Sequence, residues 1–229
     1  MHEKKPFSSE LAYALGILAL ALGTALFQRA DFGMSMIVAP AYLLHLRVSE
    51  ALPGFSFGMA EYAVQAGLLL VLALVTRRPK RSYLLSFATA VVYGLTLDLA
   101  VKALGWLPAP GMADRVCSYA VGLLLCATGV AFLFHTYLPP EAYELFVKEI
   151  AARFRLPIDR VKTAYDLISC AVAVLLSFLF FGFGRFEGVK LGTVICAVLN
   201  GFLIGRIGHL LESAFDFRDA LPLRRALER

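Results

Sequence analysis

The residues able to do chemistry are few, and nearly all stand in apolar surroundings. Asp98 lies inside the apolar run 83–104, five residues after Tyr93, and Arg206 and His209 lie towards the end of the run 190–210. A charge at the centre of a bilayer costs at least about 2.5 kcal/mol, so each such residue needs a partner or a task. For Asp98 the task would be to carry a proton or sodium ion and couple it to solute movement. The alternative is an aspartate near the outer interface, paired with Lys102 one turn later. Tyr93 and Asn200 offer a hydroxyl and an amide to a bound solute if their segments meet. Glu141 and Glu144 follow Pro139-Pro140, a helix-start pattern, so they are either solute ligands or partners of a helix dipole. Glu61, Gln65 and Asp166 stand near the starts of apolar runs, where acidic groups also suit a helix N-terminus, and capping accounts for Asp166. His45 and His135, at the edges of such runs, read as interfacial.

Other chemistries lack their residues. There is no His-Glu-x-x-His, no Gly-x-Ser-x-Gly, no Asp-rich motif and no phosphate-binding Gly-x-x-x-x-Gly-Lys-Ser/Thr loop. Cys117, Cys126, Cys170 and Cys196 have spacings that match neither a zinc site nor a redox pair, and read as small fillers of helix interfaces. The expectation is a protein that is not an enzyme, with no catalytic residues, no metal and no cofactor.

The elements that must position these groups are long and apolar. Hydrophobic residues make up 59% of the 229-residue chain and charged ones 17%, more apolar surface than a water-soluble domain of this size could cover. Mean hydropathy is +0.73. Six stretches reach the roughly 20 residues needed to cross a bilayer: about 11–28, 58–76, 83–104, 116–135, 163–182 and 190–210. The first has a basic leader but no small-x-small cleavage site after it, so it reads as a retained span. With the N-terminus inside, fifteen lysines and arginines fall in inner segments, among them Arg77, Arg78, Lys80, Arg81 and Lys148, against six in outer segments such as Arg115 and Arg185. Cytoplasmic loops carry that excess, so a multi-pass protein of the inner (cytoplasmic) membrane is expected, with both termini in the cytoplasm. Basic residues in short clusters, with no basic face, argue against nucleic acid.

The chain also resembles itself. Tyr13–Ala25 aligned with Tyr119–Ala131 gives 7 identities in 13 positions, and Ala90–Gly94 against Ala197–Gly201 makes Tyr93 and Asn200 equivalents. The expected fold is an all-α membrane protein, one membrane domain over 1–229: repeat 1 about 10–106, repeat 2 about 114–211 and a cytoplasmic tail 212–229. An odd number of spans per half turns the second half over, which makes the repeats inverted three-helix units and suits alternating access about a midplane site. Each half adds a short segment after its first span, re-entrant or interfacial. One runs from Phe32 to Leu46 and contains Gly33 and Ser35. The other runs from Leu138 to Pro157, with Tyr143, Phe146, Val147, Ile150 and Phe154 on one face and Glu141, Glu144 and Lys148 on the other. Gly16 and Gly23, like Gly122 and Gly129, lie seven residues apart on one helical face and predict close helix approach.

The Gly-rich first span, Gly33-Met34-Ser35, Pro139-Pro140-Glu141-Ala142-Tyr143-Glu144, Val161–Asp166, Gly188–Thr193 and Asn200-Gly201 together resemble the YczE/YitT-like family of bacterial membrane proteins. The resemblance implies a small integral membrane transporter without an agreed substrate. In two places the chain departs from that pattern: Gly33-Met34-Ser35-Met36 stands where many relatives have Gly-x-x-Pro, and Tyr137 where they have glycine.

The expected function is secondary transport of a small polar solute. The solute site would comprise Tyr93, Asn200, Gly33, Ser35, Glu141 and Glu144, and Asp98 would be the coupling residue. The alternatives are a substrate-binding membrane subunit of an ATP-driven importer and a membrane assembly or partner protein. Expected partners are the lipid bilayer and the solute, and a homodimer is compatible with the sequence.

Overall fold

A computed structural model describes residues 4–77, 80–183 and 186–219, and the side chains of Arg81 and Asp159 are not among what it describes. Arg78, Arg185 and the tail residues 220–229, all part of the charge argument above, lie outside the described residues. Among the described residues, eight helices run in the order α1 (Ser9–Ala30), α2 (Ala39–Ser49), α3 (Phe57–Thr76), α4 (Arg81–Leu104), α5 (Met112–Phe134), α6 (Ala142–Phe154), α7 (Ile158–Phe181) and α8 (Leu191–Ala214). Six of them, α1, α3, α4, α5, α7 and α8, are long and apolar enough to cross a membrane. The chain is an all-helical, multi-pass membrane protein, with one addition to the expected fold. Two short strands, β1 (Lys5–Ser8) and β2 (Phe215–Arg218), pair in parallel and tie the start of α1 to the end of α8. Phe7 there stacks on Phe132 and meets Phe215 and Phe217, which gives the strand pair an apolar side.

Local chemistry sets the helix ends. Ser8 Oγ accepts from Leu11 N–H and Ser56 Oγ from Met59 N–H, which starts α1 and α3 with side-chain caps. Asp31, Arg77 and Arg155 adopt left-handed backbone (φ 54°, 51° and 53°) and stop α1, α3 and α6.

α1 and α5 form the most extensive helix pair and cross antiparallel. Gly16 lies against Gly129, and Gly23 against Gly122 and Cys126; a Cβ on Gly23 would fall 2.7 Å from the Gly122 carbonyl oxygen. The close approach expected from the glycine spacing is therefore present. α4 runs alongside α1 in the same direction, with Tyr13 hydroxyl to Thr89 at one level and Arg29 to the Leu104 carbonyl at another. α3 returns antiparallel to α4, and α8 packs on α5.

The bundle thus has two ends: one with the start of α1 and the ends of α3, α5 and α8, and one opposite. The short helices start in the middle and run to opposite ends. Gln65, which binds Ala142 N–H at the start of α6, is eleven residues from the end of α3, roughly 16 Å into the bundle. From there α6 runs out to the N-terminal end, where Glu149 meets Lys80 at 2.7 Å. α2 begins beside Tyr93, near the middle of α4, and ends at the opposite end, where His45 Nδ1 lies 2.9 Å from the Phe55 carbonyl. α6 packs between α3, α4 and α7, and α2 between α3 and α7. One expectation for α6 changes as a result. Glu141, placed above on a polar face, is buried along with Tyr143, and Phe154 on the apolar face is exposed, because α6 is enclosed by helices on several sides.

Candidate functional site

The two buried helix starts and the middles of α1, α4, α5 and α8 enclose a small chamber of about 70 Å³. Thr24, Ser35, Tyr93, Glu141, Glu144 and Asn200 supply its polar lining. Ser35, Glu144, Asn200 and Phe134 also line a second space of about 400 Å³ that continues between α7 and α8 past Lys162, Asp166 and Ile204. Chamber and vestibule together reach the size of a small-molecule site.

Glu141 stands just before α6, where Pro139 and Pro140 hold the chain extended and hand their carbonyls to Thr89 and Ser86 of α4 at 3.0 and 2.7 Å. Its Oε2 accepts from Gln65 Nε2 at 3.4 Å, and its Oε1 has no hydrogen-bond partner. The same Gln65 nitrogen donates to Glu61 Oε2 at 3.4 Å, and the Tyr143 hydroxyl donates to that oxygen at 2.9 Å; Glu61 Oε1 is also without a partner. Glu61 and Glu144 are the acidic neighbours of the Glu141 carboxyl, and Gln65 is its hydrogen-bond donor. Across the chamber, the Tyr93 hydroxyl donates to Thr24 at 3.0 Å, and Asn200 Oδ1 has no partner. Among the described residues, the fully buried side-chain atoms left without a partner at this site are acceptor oxygens.

Five of the six solute-site residues expected from sequence, Tyr93, Asn200, Ser35, Glu141 and Glu144, line the chamber. Gly33 does not. Its backbone (φ 109°) lies against Lys190 and Thr193 at the start of α8, where a Cβ would meet Thr193 Oγ1 at 2.5 Å, so it serves a tight turn. Asp98 is not in the chamber either, and it does not pair with Lys102. Its carboxylate accepts from Ser56 Oγ at 2.6 Å and Gly58 N–H at 2.7 Å, and so clasps the start of α3 to α4. Beside this clasp a Cβ on Gly58 would fall 2.0 Å from the Gly94 carbonyl oxygen. Asp166 is no cap, since α7 begins eight residues earlier; it faces Lys162 at 3.8 Å. Glu61 is no cap either but a fully buried member of the cluster. Its signal was present in the sequence, an acid four residues before Gln65 and thus on the same helix face. Thr24 carried no such signal. Arg206 lies over the Phe202 ring and His209 near Glu212, both outside the site.

A family model matches residues 7–209. The chain belongs to the "Family of unknown function (DUF6198)". No curated protein and no solved structure matches this DUF6198 member. Its chamber residues from Thr24 to Asn200 all fall within the matched span.

Proposed function

We propose that this chain is a secondary transporter, as the YczE/YitT resemblance implies, that carries a small polar solute by alternating access and is built from two inverted three-span halves. The observation that carries the reading is a polar chamber at mid-depth, formed where two short helices begin and leave for opposite ends of the bundle. In transporters, interrupted helices whose ends meet at the midplane form the solute site.

The packing supports the inversion. By the internal alignment Gly16 corresponds to Gly122 and Gly23 to Gly129, while the contacts are Gly16 with Gly129 and Gly23 with Gly122. This reciprocal pattern is what a pseudo-twofold axis lying in the membrane plane would generate. The short helices follow it as well: α6 packs on α3 of the first half, and α2 on α7 of the second.

The two halves differ where alternating access requires it. α3 and α4 are clasped by Asp98, Ser56 and Gly58, whereas α7 and α8 make little contact and leave the vestibule between them. Asp31 reinforces closure on the α3–α4 clasp's side of the bundle by bridging Arg115 at 3.1 Å and Lys190 at 2.5 Å. The conformation is then one open towards the N-terminal end.

The test is side-specific labelling of a cysteine replacing Ala197, which lines the vestibule, in a background without the native cysteines. An impermeant thiol reagent should reach it from the N-terminal side, and Asp98→Asn should raise labelling from the other side several-fold. Labelling confined to one side in both proteins would overturn alternating access.

A further inference from the structure

Glu141 is more than nine-tenths buried, lines the chamber, and keeps one carboxylate oxygen without a partner. Among the described residues, no lysine, arginine or histidine lines the chamber with it. The titratable groups around it are Glu61 of α3, reached through Gln65, Glu144 and Tyr143 of α6, Tyr93 of α4, Cys126 of α5 and Tyr13 of α1. α8 contributes neutral Asn200, the segment before α2 contributes Ser35, and α7 places Lys162 and Asp166 only along the vestibule. A carboxylate held in such surroundings is neutralised in one of two ways, by a proton or by a cation that enters the site.

We propose that the chamber binds the nitrogen head group of a small organic cation, an amine or guanidine, which meets Glu141 Oε1 and Asn200 Oδ1 and takes the place of a proton on Glu141. The bound cation stands where the carboxyl proton stood, and the proton leaves to water, so charge at the site balances. The orphan atoms select this class. Both are acceptors, and the first N–H of each short helix is already used, Ala142 N–H by Gln65 and Ala39 N–H by the Ser35 carbonyl. An anion would have only the Asn200 amide nitrogen and side-chain hydroxyls to turn to, and would face Glu141 and Glu144. The chamber, about 70 Å³, admits a head group, and the vestibule, with Ile37, Val130, Phe134 and Ile204, suits an apolar body behind it.

This inference deepens the transporter reading and rests on it for the consequence that solute and proton move in exchange. The experiment is ligand-induced thermal stabilisation of the purified full chain with agmatine, spermidine, phenethylamine and choline, against glutamate, lactate and glucose, across about pH 6 to about pH 8. At least one N–H-bearing cation should raise Tm. Its apparent Kd should weaken about tenfold per unit of falling pH once Glu141 is protonated, with one proton released to the medium on binding. Glu141→Gln should abolish the stabilisation, and Glu141→Asp should keep its pH dependence even if Glu141→Gln does not fold. No stabilisation by any cation, stabilisation by an anion instead, binding independent of pH, or wild-type affinity in Glu141→Gln would each overturn it. Counterflow in proteoliposomes separates the two readings: a cation that binds with this pH dependence but shows no counterflow sinks the transporter, and counterflow of an anion alone sinks the cation site.

Discussion

The Tyr143 hydroxyl donates to Glu61 Oε2 at 2.9 Å, which joins the short helix α6 to the buried middle of α3. Without it, Glu61 would keep only the long contact with Gln65 at 3.4 Å. A buried carboxyl that loses its donor costs roughly 1–3 kcal/mol. Tyr143→Phe should therefore lower the unfolding midpoint of the purified protein, whereas Thr128→Val, on an exposed face where Thr128 bonds only the Leu124 carbonyl, should leave it near wild type. An unchanged midpoint in Tyr143→Phe would show that this hydrogen bond does not hold α6 in place.

The α1–α5 crossing makes a sharper demand. Gly23→Ala places a methyl 2.6 Å from Cys126 Sγ and 2.7 Å from the Gly122 carbonyl oxygen, so the helices must separate. Overpacking of this kind costs about 1–3 kcal/mol. Gly67→Ala, with open space around it, serves as the comparison and should be neutral or slightly stabilising. Equal melting curves for the two variants would contradict the close approach.

Asp98 holds the start of α3 through two hydrogen bonds to a charged acceptor, each worth about 1.5–3 kcal/mol. Asp98→Ala should loosen that end of the bundle, read as faster amide exchange over residues 56–60 with little change at residues 69–72. Uniformly faster exchange through α3 would mean that the clasp is not local.

Orientation can be tested without any ligand. Cysteines replacing Lys148 and Ala109, both exposed, should be labelled from opposite sides of the membrane in intact cells, Lys148→Cys from the cytoplasm and Ala109→Cys from outside. Labelling of both from one side would break the topology and with it the inverted arrangement. Arg78, a further marker in the charge argument, lies outside the described residues.

What the sequence determined by itself is what depends on run length, charge and period. Six apolar stretches long enough to span a bilayer became six helices, since a backbone in hydrocarbon must satisfy its own hydrogen bonds. Glycines seven residues apart marked the α1–α5 seam, because only a missing side chain lets two backbones approach so closely. The internal repeat pointed to Tyr93 and Asn200, and both line the chamber. Tertiary structure decided the rest, because burial and partnership are properties of pairs far apart in the chain. Glu61 read as an acid near the start of one apolar run and Asp98 as an acid inside another. One is fully buried against Tyr143, eighty-two residues away, and the other clasps Ser56, forty-two residues away. The faces of α6 were read from periodicity, which distinguishes two sides of a helix but not how many neighbours will cover them. Only the enclosure of α6 by α3, α4 and α7 turned Glu141 from a helix-start residue into a buried carboxyl with an oxygen still to be matched.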